Sequence, residues 1–155
     1  MPDLHALTVL LAQNVRQRDA AIAEHLRAQA ASRAAAAQAE QLRTYRHEYA
    51  QRWRTQFAVK GQIEVVHCYQ IFMDRLTQAV EHQTRIEANA AQQVTHALAA
   101  LTAAELRCAS VRKLIERRTL EHRLAAERRE QKHSDEFAAR AAWNRRNVNG
   151  QHGLV

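Results

Sequence analysis

The fold is decided by the stretch Phe57-Ala58-Val59-Lys60-Gly61-Gln62-Ile63. Gly61 is the only glycine between Asp3 and Arg146, and the only proline of the chain is Pro2. Glycine and proline are the residues that most often end a helix. The sequence therefore predicts two very long helices that are joined by a single tight turn.

The element boundaries follow outward from this stretch. We expect helix 1 to run from about Asp3 to Phe57, the turn to occupy residues 58–62, and helix 2 to run from about Ile63 to Arg146. Residues 1–146 then form a single domain, and residues 147–155, which hold two glycines and no periodicity, form a disordered tail. The predicted fold class is all-α: a long antiparallel two-helix coiled coil, or α-hairpin, with an overhanging C-terminal helix.

Helix 2 carries apolar residues at every seventh position. The first row consists of Val66, Met73, Val80, Glu87, Val94, Leu101, Cys108 and Ile115. The second row consists of Tyr69, Leu76, Gln83, Ala90, Ala97, Ala104 and Val111. Two such rows, three and four residues apart, predict the seam of a left-handed coiled coil.

Helix 1 has a less regular apolar face. Its N-terminal part contains Leu4, Leu7, Leu11, Val15, Ile22 and Leu26, which we interpret as one face. An alanine-rich stretch follows, where a partner helix can approach closely, and the pattern resumes with Leu42, Tyr45, Tyr49, Trp53 and Phe57. We expect Trp53 and Phe57 to cap the seam at the turn.

A turn centred on residue 60 also predicts the pairing register. Position i should lie near position 120 − i, which places Tyr49 beside Phe72 and Gln38 near Gln83. Helix 2 should then extend roughly 27 residues, or about 40 Å, beyond its partner.

The positive charge is concentrated in the C-terminal part of helix 2, which includes this overhang. The chain has a formal net charge of +7, and residues 107–146 hold 12 of its basic and 6 of its acidic residues. Such an excess of positive charge favours binding to an acidic partner surface or to a nucleic acid, although a solvated helix end can have the same composition.

Patterns of catalytic chemistry are absent. The sequence has no glycine-rich phosphate loop, its nine histidines are scattered, and its three serines have no triad setting. We therefore expect no enzyme activity, no cofactor and no metal site. Cys68 and Cys108 lie about 60 Å apart on one predicted helix, too far to bridge, which favours a reducing compartment and a cytoplasmic protein.

One set of residues repeats the same spacing on both helices. Its members are Gln38, Leu42, Tyr45 and Tyr49 on helix 1 and Phe72, Leu76, Ala79 and Gln83 on helix 2. By the register these two quartets face each other, so they either fill the seam or form a binding stripe beside it. Tyrosine and phenylalanine are frequent at interfaces.

At these residues the sequence resembles the bacterial flagellar export protein family FliJ. The resemblance rests on Tyr45-Arg46-His47-Glu48-Tyr49, on Gly61, and on Tyr69, Phe72, Leu76, Ala79 and Gln83. The charged runs Glu116-Arg117-Arg118 and Glu127-Arg128-Arg129-Glu130-Gln131-Lys132, with Asp135-Glu136, agree with it. It covers most of residues 1–140.

The resemblance implies a function as well as a fold. FliJ-like proteins act as a non-enzymatic stalk within the ring of the export ATPase hexamer, engage the cytoplasmic linker of the export gate protein FlhA, and bind filament-type export chaperones. The gate-binding residues of the family map onto Gln38, Leu42, Tyr45, Tyr49, Phe72, Leu76, Ala79 and Gln83. By the stalk analogy, the unpaired end of helix 2 lies nearest the ATPase ring. Its basic residues are expected to contact either this ring or a chaperone, and they are Arg117, Arg118, Arg123, Arg128, Arg129 and Lys132.

The implied location is the cytoplasm, peripheral to the inner membrane at the flagellar base, with the membrane reached only through the gate protein. Two alternatives stay open at this point. The chain is the equivalent stalk of a virulence-type III secretion injectisome, or it is a basic coiled coil that binds nucleic acid or acts as a scaffold. The acidic residues interleaved with the arginines argue against nucleic acid.

Overall fold

A computed structural model of the chain describes residues 2–56 and 62–152, and the regular structure in these ranges is entirely helical. Helix α1 runs Pro2–Gln56, and helix α2 runs Ile63–His152. The two helices pack against each other as an antiparallel hairpin. The predicted all-α coiled-coil fold is therefore confirmed.

Local signals explain where the helices begin. Pro2 is the first residue of α1, where its missing N–H costs nothing, and Asp3 places a negative charge in the first turn. At the start of α2, the carbonyl of Gln62 accepts a hydrogen bond of 3.0 Å from the N–H of Val66, and Glu64 supplies the acidic first-turn residue. Of the expected turn at residues 58–62, only Gln62 is described, because residues 57–61 lie outside the described ranges.

The C-terminal end of α2 differs from the expected one. We predicted that the helix ends at Arg146 and that residues 147–155 are disordered, but α2 continues to His152. A single glycine at position 150 costs only about 1 kcal/mol relative to alanine, so a long helix can run through it. The tail prediction is therefore wrong for residues 147–152, and residues 153–155 lie outside the described part.

The predicted seam of α2 is confirmed. All 15 positions of its two heptad rows, from Val66 to Ile115, are buried or half-buried, although the surrounding residues are mostly exposed. The most deeply buried members are Leu76, Val80, Gln83, Ala97, Ala104, Cys108 and Val111. Cys68 and Cys108 are both free thiols.

The seam of α1 follows a different path from the predicted face. Ile22 and Leu26 are exposed, and the buried or half-buried rows instead pass through Asn14, Arg18 and His25. The complete rows are Leu4, Leu11, Arg18, His25, Ser32, Ala39, Arg46 and Trp53, and Leu7, Asn14, Ala21, Ala28, Ala35, Leu42 and Tyr49. The prediction followed large side chains, but a strict heptad places small and polar residues in the seam.

The predicted register is confirmed by direct contacts between the helices. The Nε2 group of Gln83 donates hydrogen bonds to the carbonyl of Ala35, at 3.3 Å, and to Oε1 of Gln38, at 3.2 Å. The rings of Tyr49 and Phe72 lie 4.5 Å apart between centroids. Each of these pairs satisfies the relation between i and 120 − i to within two residues.

The buried amide of Gln83 yields a testable prediction about stability and register. A polar group in a seam specifies the register at a cost in stability, because it gives up water for only modest net hydrogen-bond energy. We expect Gln83→Leu to raise the thermal unfolding midpoint and Gln83→Ala to lower it, since alanine leaves a void of about four heavy atoms. Circular dichroism during heating measures both, and a midpoint that falls in the leucine variant contradicts the prediction.

By its internal contacts the chain divides into two units, Asn14–Arg107 and Met1–Gln13 with Cys108–Val155. In the first unit the seam residues of both helices pack together. In the second, Leu4, Leu7 and Leu11 of α1 are half-buried, and Cys108 and Val111 are buried. The single domain expected for residues 1–146 stays a prediction.

The C-terminal part of α2 is largely uncovered. Between Glu116 and Gln151 every residue is exposed except His122 and Ala141, which are half-buried. This exposure agrees with the predicted overhanging C-terminal helix, in which no second helix covers a face.

Candidate docking surface

The most distinctive surface of the hairpin is built around the ring of Tyr49. This ring lies 6.2 Å from that of Tyr45 on its own helix, and 5.9 Å and 4.5 Å from those of Tyr69 and Phe72 on α2. Such centroid distances are those of favourable ring pairs. We call Tyr45, Tyr49, Tyr69 and Phe72 the aromatic cluster.

Trp53 extends the cluster toward the turn. Its ring stacks on that of Tyr69, with centroids 4.0 Å apart and planes within 8° of parallel. Because both side chains are half-buried, the stack closes the seam at this end. This confirms the expected capping role of Trp53, whereas Phe57 lies outside the described residues.

The other end of the predicted stripe is polar. There the buried Gln83 holds the side chain of Gln38 and the backbone of Ala35, as described above. Gln38 itself is exposed, so the hydrogen bond fixes an accessible amide at the edge of the seam. The structure thus brings together the first and last members of the two quartets.

The eight residues of the predicted stripe differ in accessibility. Leu76 and Gln83 are buried in the seam, and Leu42, Tyr49 and Ala79 are half-buried. Gln38, Tyr45 and Phe72 are exposed, with Tyr45 at 48% and Phe72 at 36% of full exposure. A partner that meets the folded hairpin can therefore touch the last three directly, while the others position them.

Two heptad rows define the side of the seam on which these residues lie. Gln38 and Tyr45 are seven residues apart on α1, and Phe72 and Ala79 are seven apart on α2, so each pair shares a row. We call this side the aromatic flank. A shallow depression of about 530 Å³ adjoins it, lined by Tyr45 with Glu40, Glu48 and three uncharged residues of α1.

The opposite side of the seam is held by a polar contact that sequence reasoning missed. The Nη2 atom of Arg43 lies 2.9 Å from Oε2 of Glu87 and 3.2 Å from Oγ1 of Thr84. Glu87 is the single charged residue in the first heptad row of α2. A charged residue at a seam position was the one signal in the sequence that could have indicated a basic partner on α1. We call this side the Arg43 flank.

The six basic residues proposed from the family pattern are all exposed on α2. They are Arg117, Arg118, Arg123, Arg128, Arg129 and Lys132. Arg118 and Arg123 lie 4.0 Å and 3.9 Å from the carboxylates of Glu121 and Glu127 on the same helix. Exposed pairs at such distances contribute little free energy, so the basic side chains stay accessible to a partner.

The described residues offer few other kinds of site. No group of three or more histidine, cysteine, aspartate or glutamate side chains is placed to hold a metal ion within residues 2–56 and 62–152. Neither helix, over the same residues, contains a segment long and apolar enough to cross a bilayer.

Comparison with known proteins gives one finding. The family model described as FliJ, flagellar FliJ protein, matches residues 4–147, which is nearly the whole chain. No curated protein and no solved structure gives a significant match. The family match spans both helices, including the aromatic cluster and the exposed basic residues of α2.

Proposed function

The chain belongs to the FliJ family of flagellar proteins and is an export-related component of the flagellum, and from this premise we propose that it is a non-enzymatic stalk and adaptor of the type III export apparatus. In this role it links the ring of the export ATPase to the cytoplasmic linker of the export gate protein FlhA. It also receives filament-type export chaperones. It works in the cytoplasm at the flagellar base, and it reaches the inner membrane only through the gate.

The observation that carries this proposal is the aromatic flank. Both helices contribute residues to it. The ring of Tyr49 packs against the rings of Tyr45 and Phe72, and a hydrogen bond from Gln83 fixes Gln38 at the end of the flank that is farther from the turn. Exposed rings that are held by packing lose little conformational freedom on binding, and this is why such rings dominate many interfaces. We propose that the gate linker docks on this flank.

A second contact is proposed for the basic residues of α2. Because the chain carries 12 basic against 6 acidic residues between positions 107 and 146, an acidic surface of the ATPase ring or of a chaperone is attracted to this segment. The exposure of Arg117, Arg128 and Lys132 supports a direct contact. Such an attraction weakens with salt, which distinguishes it from docking on the aromatic flank.

The alternatives are weaker on the same observations. The matched family is described as flagellar, which favours the flagellum over an injectisome. A nucleic acid carries a phosphate at every nucleotide, and the acidic residues interleaved with the arginines, such as Glu121 and Glu127 beside Arg118 and Arg123, repel these phosphates. No binding of nucleic acid is therefore expected.

Replacement of the exposed rings tests the proposed gate contact. We expect Tyr45→Ala and Phe72→Ala each to weaken binding to the cytoplasmic part of the gate protein about 30-fold, which corresponds to about 2 kcal/mol for an interface ring. Motility in soft agar should fall accordingly. Calorimetric titration measures the affinity, and circular dichroism verifies that the helices persist.

Leu106→Ala is the matched control for these variants. Leu106 is a large apolar side chain that is 68% exposed, and it lies on neither flank of the seam. Its replacement should leave gate binding unchanged. Equal affinity in the wild type and in both ring variants contradicts the proposal, as does an equal loss in all three variants.

A further inference from the structure

The part of the Arg43 flank that is nearer the turn contains a groove between the two helices. Its volume is about 600 Å³. Four of the residues that line it belong to α1 and two belong to α2: Arg43, Arg46, His47 and Ala50, and Met73 and Thr77. All six lie within the unit Asn14–Arg107. We call this site the arginine groove.

Arg46 places a charge at a seam position of this groove. It belongs to the heptad row of α1 that contains Ala39 and Trp53, and it is half-buried. By the register it lies at the level of Met73, which lines the same groove. A charge at such a position gives up part of its hydration, and an apolar residue there would stabilise the seam more.

Arg46 has no carboxylate partner among the described residues. Within residues 2–56 and 62–152, its guanidinium group makes no hydrogen bond and no ion pair. The other two half-buried arginines in these ranges are paired, since Arg18 lies 3.0 Å from Asp19 and Arg43 lies 2.9 Å from Glu87. A carboxylate for Arg46 therefore has to come from another molecule.

The surrounding part of α1 adds further positive charge. From Arg43 to Arg54 this helix holds four arginines and one acidic residue, Glu48. Arg54 shares the heptad row of His47, so it borders the groove on the side of the turn. It is exposed, and it forms no ion pair within the described residues. This local excess of positive charge attracts an acidic partner.

A small apolar surface lies between the two unpaired arginines. Ala50 is four residues after Arg46 and four before Arg54, so the three residues follow one another along one side of α1. Ala50 and Met73 are both half-buried and line the groove from opposite helices. Because methionine is flexible, it can adapt to an apolar side chain of a ligand.

These spacings fit an extended acidic peptide. Arg46 and Arg54 are about 12 Å apart along the axis of α1. In an extended chain, the side chains at positions i, i+2 and i+4 point to the same side, and the first and last are about 13 Å apart. A segment with acidic residues at the two outer positions and an aliphatic residue between them therefore matches both arginines and the apolar surface at once.

A nucleic acid fits the groove less well. The row of α2 that lies outward of Thr77 contains Asp74 and Glu81, and both are exposed. These carboxylates repel a chain that carries a phosphate at every nucleotide. A peptide with two carboxylates on the side of α1 avoids this repulsion.

We propose that the arginine groove binds an acidic peptide segment of a partner protein. The segment lies extended along α1, its two carboxylates pair with Arg46 and Arg54, and its aliphatic side chain covers Ala50 and Met73. Pairs of guanidinium and carboxylate groups are among the stronger polar contacts of proteins. The groove shares no residue with the aromatic flank or with the six basic residues of the proposed export role, so the proposal does not depend on that role.

Fluorescence polarisation of a labelled peptide in the presence of the full chain tests the proposal. The probe has the sequence Gly-Glu-Ser-Leu-Ser-Glu-Gly, and its binding should be saturable. Arg46→Met should raise the dissociation constant about tenfold and Arg54→Met about fivefold, because each variant removes one charge-assisted pair. Methionine has the helix propensity of arginine, so circular dichroism should show unchanged helices in both variants.

Arg52→Met is the matched control for these variants. It removes the same charge from the same helix, but Arg52 lies in the heptad row of Tyr45 and thus on the aromatic flank. At physiological ionic strength its charge is screened from the groove, so the dissociation constant should change less than about twofold. Tyr45→Ala should also leave probe binding unchanged, which separates this site from the proposed gate contact.

Two altered peptides test which groups of the ligand are recognised. Replacement of both glutamates of the probe by glutamine should weaken binding about 50-fold, because both ion pairs are lost. Replacement of its leucine by serine should weaken binding about fivefold, because the contact with Ala50 and Met73 is lost. Inorganic phosphate at the concentration of the probe should not displace it.

Several outcomes overturn the proposal. The groove does not bind acidic peptides if the wild-type chain gives no saturable signal, or if Arg46→Met and Arg54→Met both bind the probe as the wild type does. Equal weakening by Arg46→Met and Arg52→Met means that only the overall charge of α1 attracts the probe. Displacement of the probe by equimolar phosphate means that the groove takes any anion and is not a peptide site.

Discussion

Ala39→Glu is expected to lower the free energy of unfolding by at least about 3 kcal/mol, because it places a carboxylate in the seam without a partner. Ala39 is 1% exposed and lies at the level of Val80 by the observed register. Glutamate is nearly as good a helix former as alanine, so the loss arises from the contact between the helices and not from α1 itself. Urea unfolding followed by circular dichroism measures the change.

Ala37→Glu is the matched control for this substitution. Ala37 lies on the same helix two residues earlier, and it is exposed. The same change there should alter the free energy of unfolding by less than about 0.5 kcal/mol. If both variants unfold at the same urea concentration, the seam does not pass through Ala39 and the packing of the hairpin is wrong.

Tyr49→Ala is expected to lower the free energy of unfolding by about 2 kcal/mol, because one side chain takes part in three ring contacts. The half-buried position of Tyr49 makes the effect smaller than that of a fully buried ring. Gate binding should fall together with stability, since the rings of Tyr45 and Phe72 lose their common support. Thermal unfolding and calorimetric titration measure the two effects.

Two variants separate the roles of the ring and of its hydroxyl group. Tyr49→Phe keeps all three ring contacts and should retain most of the stability. Tyr45→Ala removes one ring contact from a side chain that is 48% exposed, so its cost in stability should be below about 1 kcal/mol. A larger loss of stability in Tyr45→Ala than in Tyr49→Ala contradicts the central position of Tyr49.

The regular parts of the fold were predictable from the sequence because they depend on patterns that repeat. The heptad rows of α2 contain large apolar residues from Val66 to Ile115, and each of these positions is buried or half-buried. The register followed from the place of the glycine, and the contact between Gln38 and Gln83 confirms it. Both inferences use only the period of the helix and the position of one turn.

The seam of α1 was mispredicted for a physical reason. In a two-helix seam a position is buried by its place in the heptad and not by its hydrophobicity, so Asn14 and His25 are inside while Leu26 is outside. Asn14 is 7% exposed, and the Nδ1 atom of His25 is buried with no hydrogen-bond partner among the described residues. Following the strict seven-residue spacing from Leu4 and Leu7 would have found these positions.

The sequence predicted which residues come together at the candidate site, but it did not predict which of them are exposed. Leu76 and Gln83 belonged both to the second heptad row and to the predicted stripe, and the structure buries them in the seam. The stack of Trp53 on Tyr69 depends on side-chain rotamers, which the sequence does not specify. The partners proposed for this surface remain predictions that the binding experiments test.

The alanine-rich seam has a mechanical consequence for the unit Asn14–Arg107. Methyl groups are too short to interlock, so alanines resist lengthwise sliding of one helix along the other only weakly. The interhelical hydrogen bonds of Gln83 lie at the end of this seam that is nearer the turn, and the packed rings around Tyr49 lie between that end and the turn. A shear force along the helices is therefore resisted mainly in the part of the hairpin nearer the turn, by the hydrogen bonds of Gln83 and by the ring contacts of Tyr49.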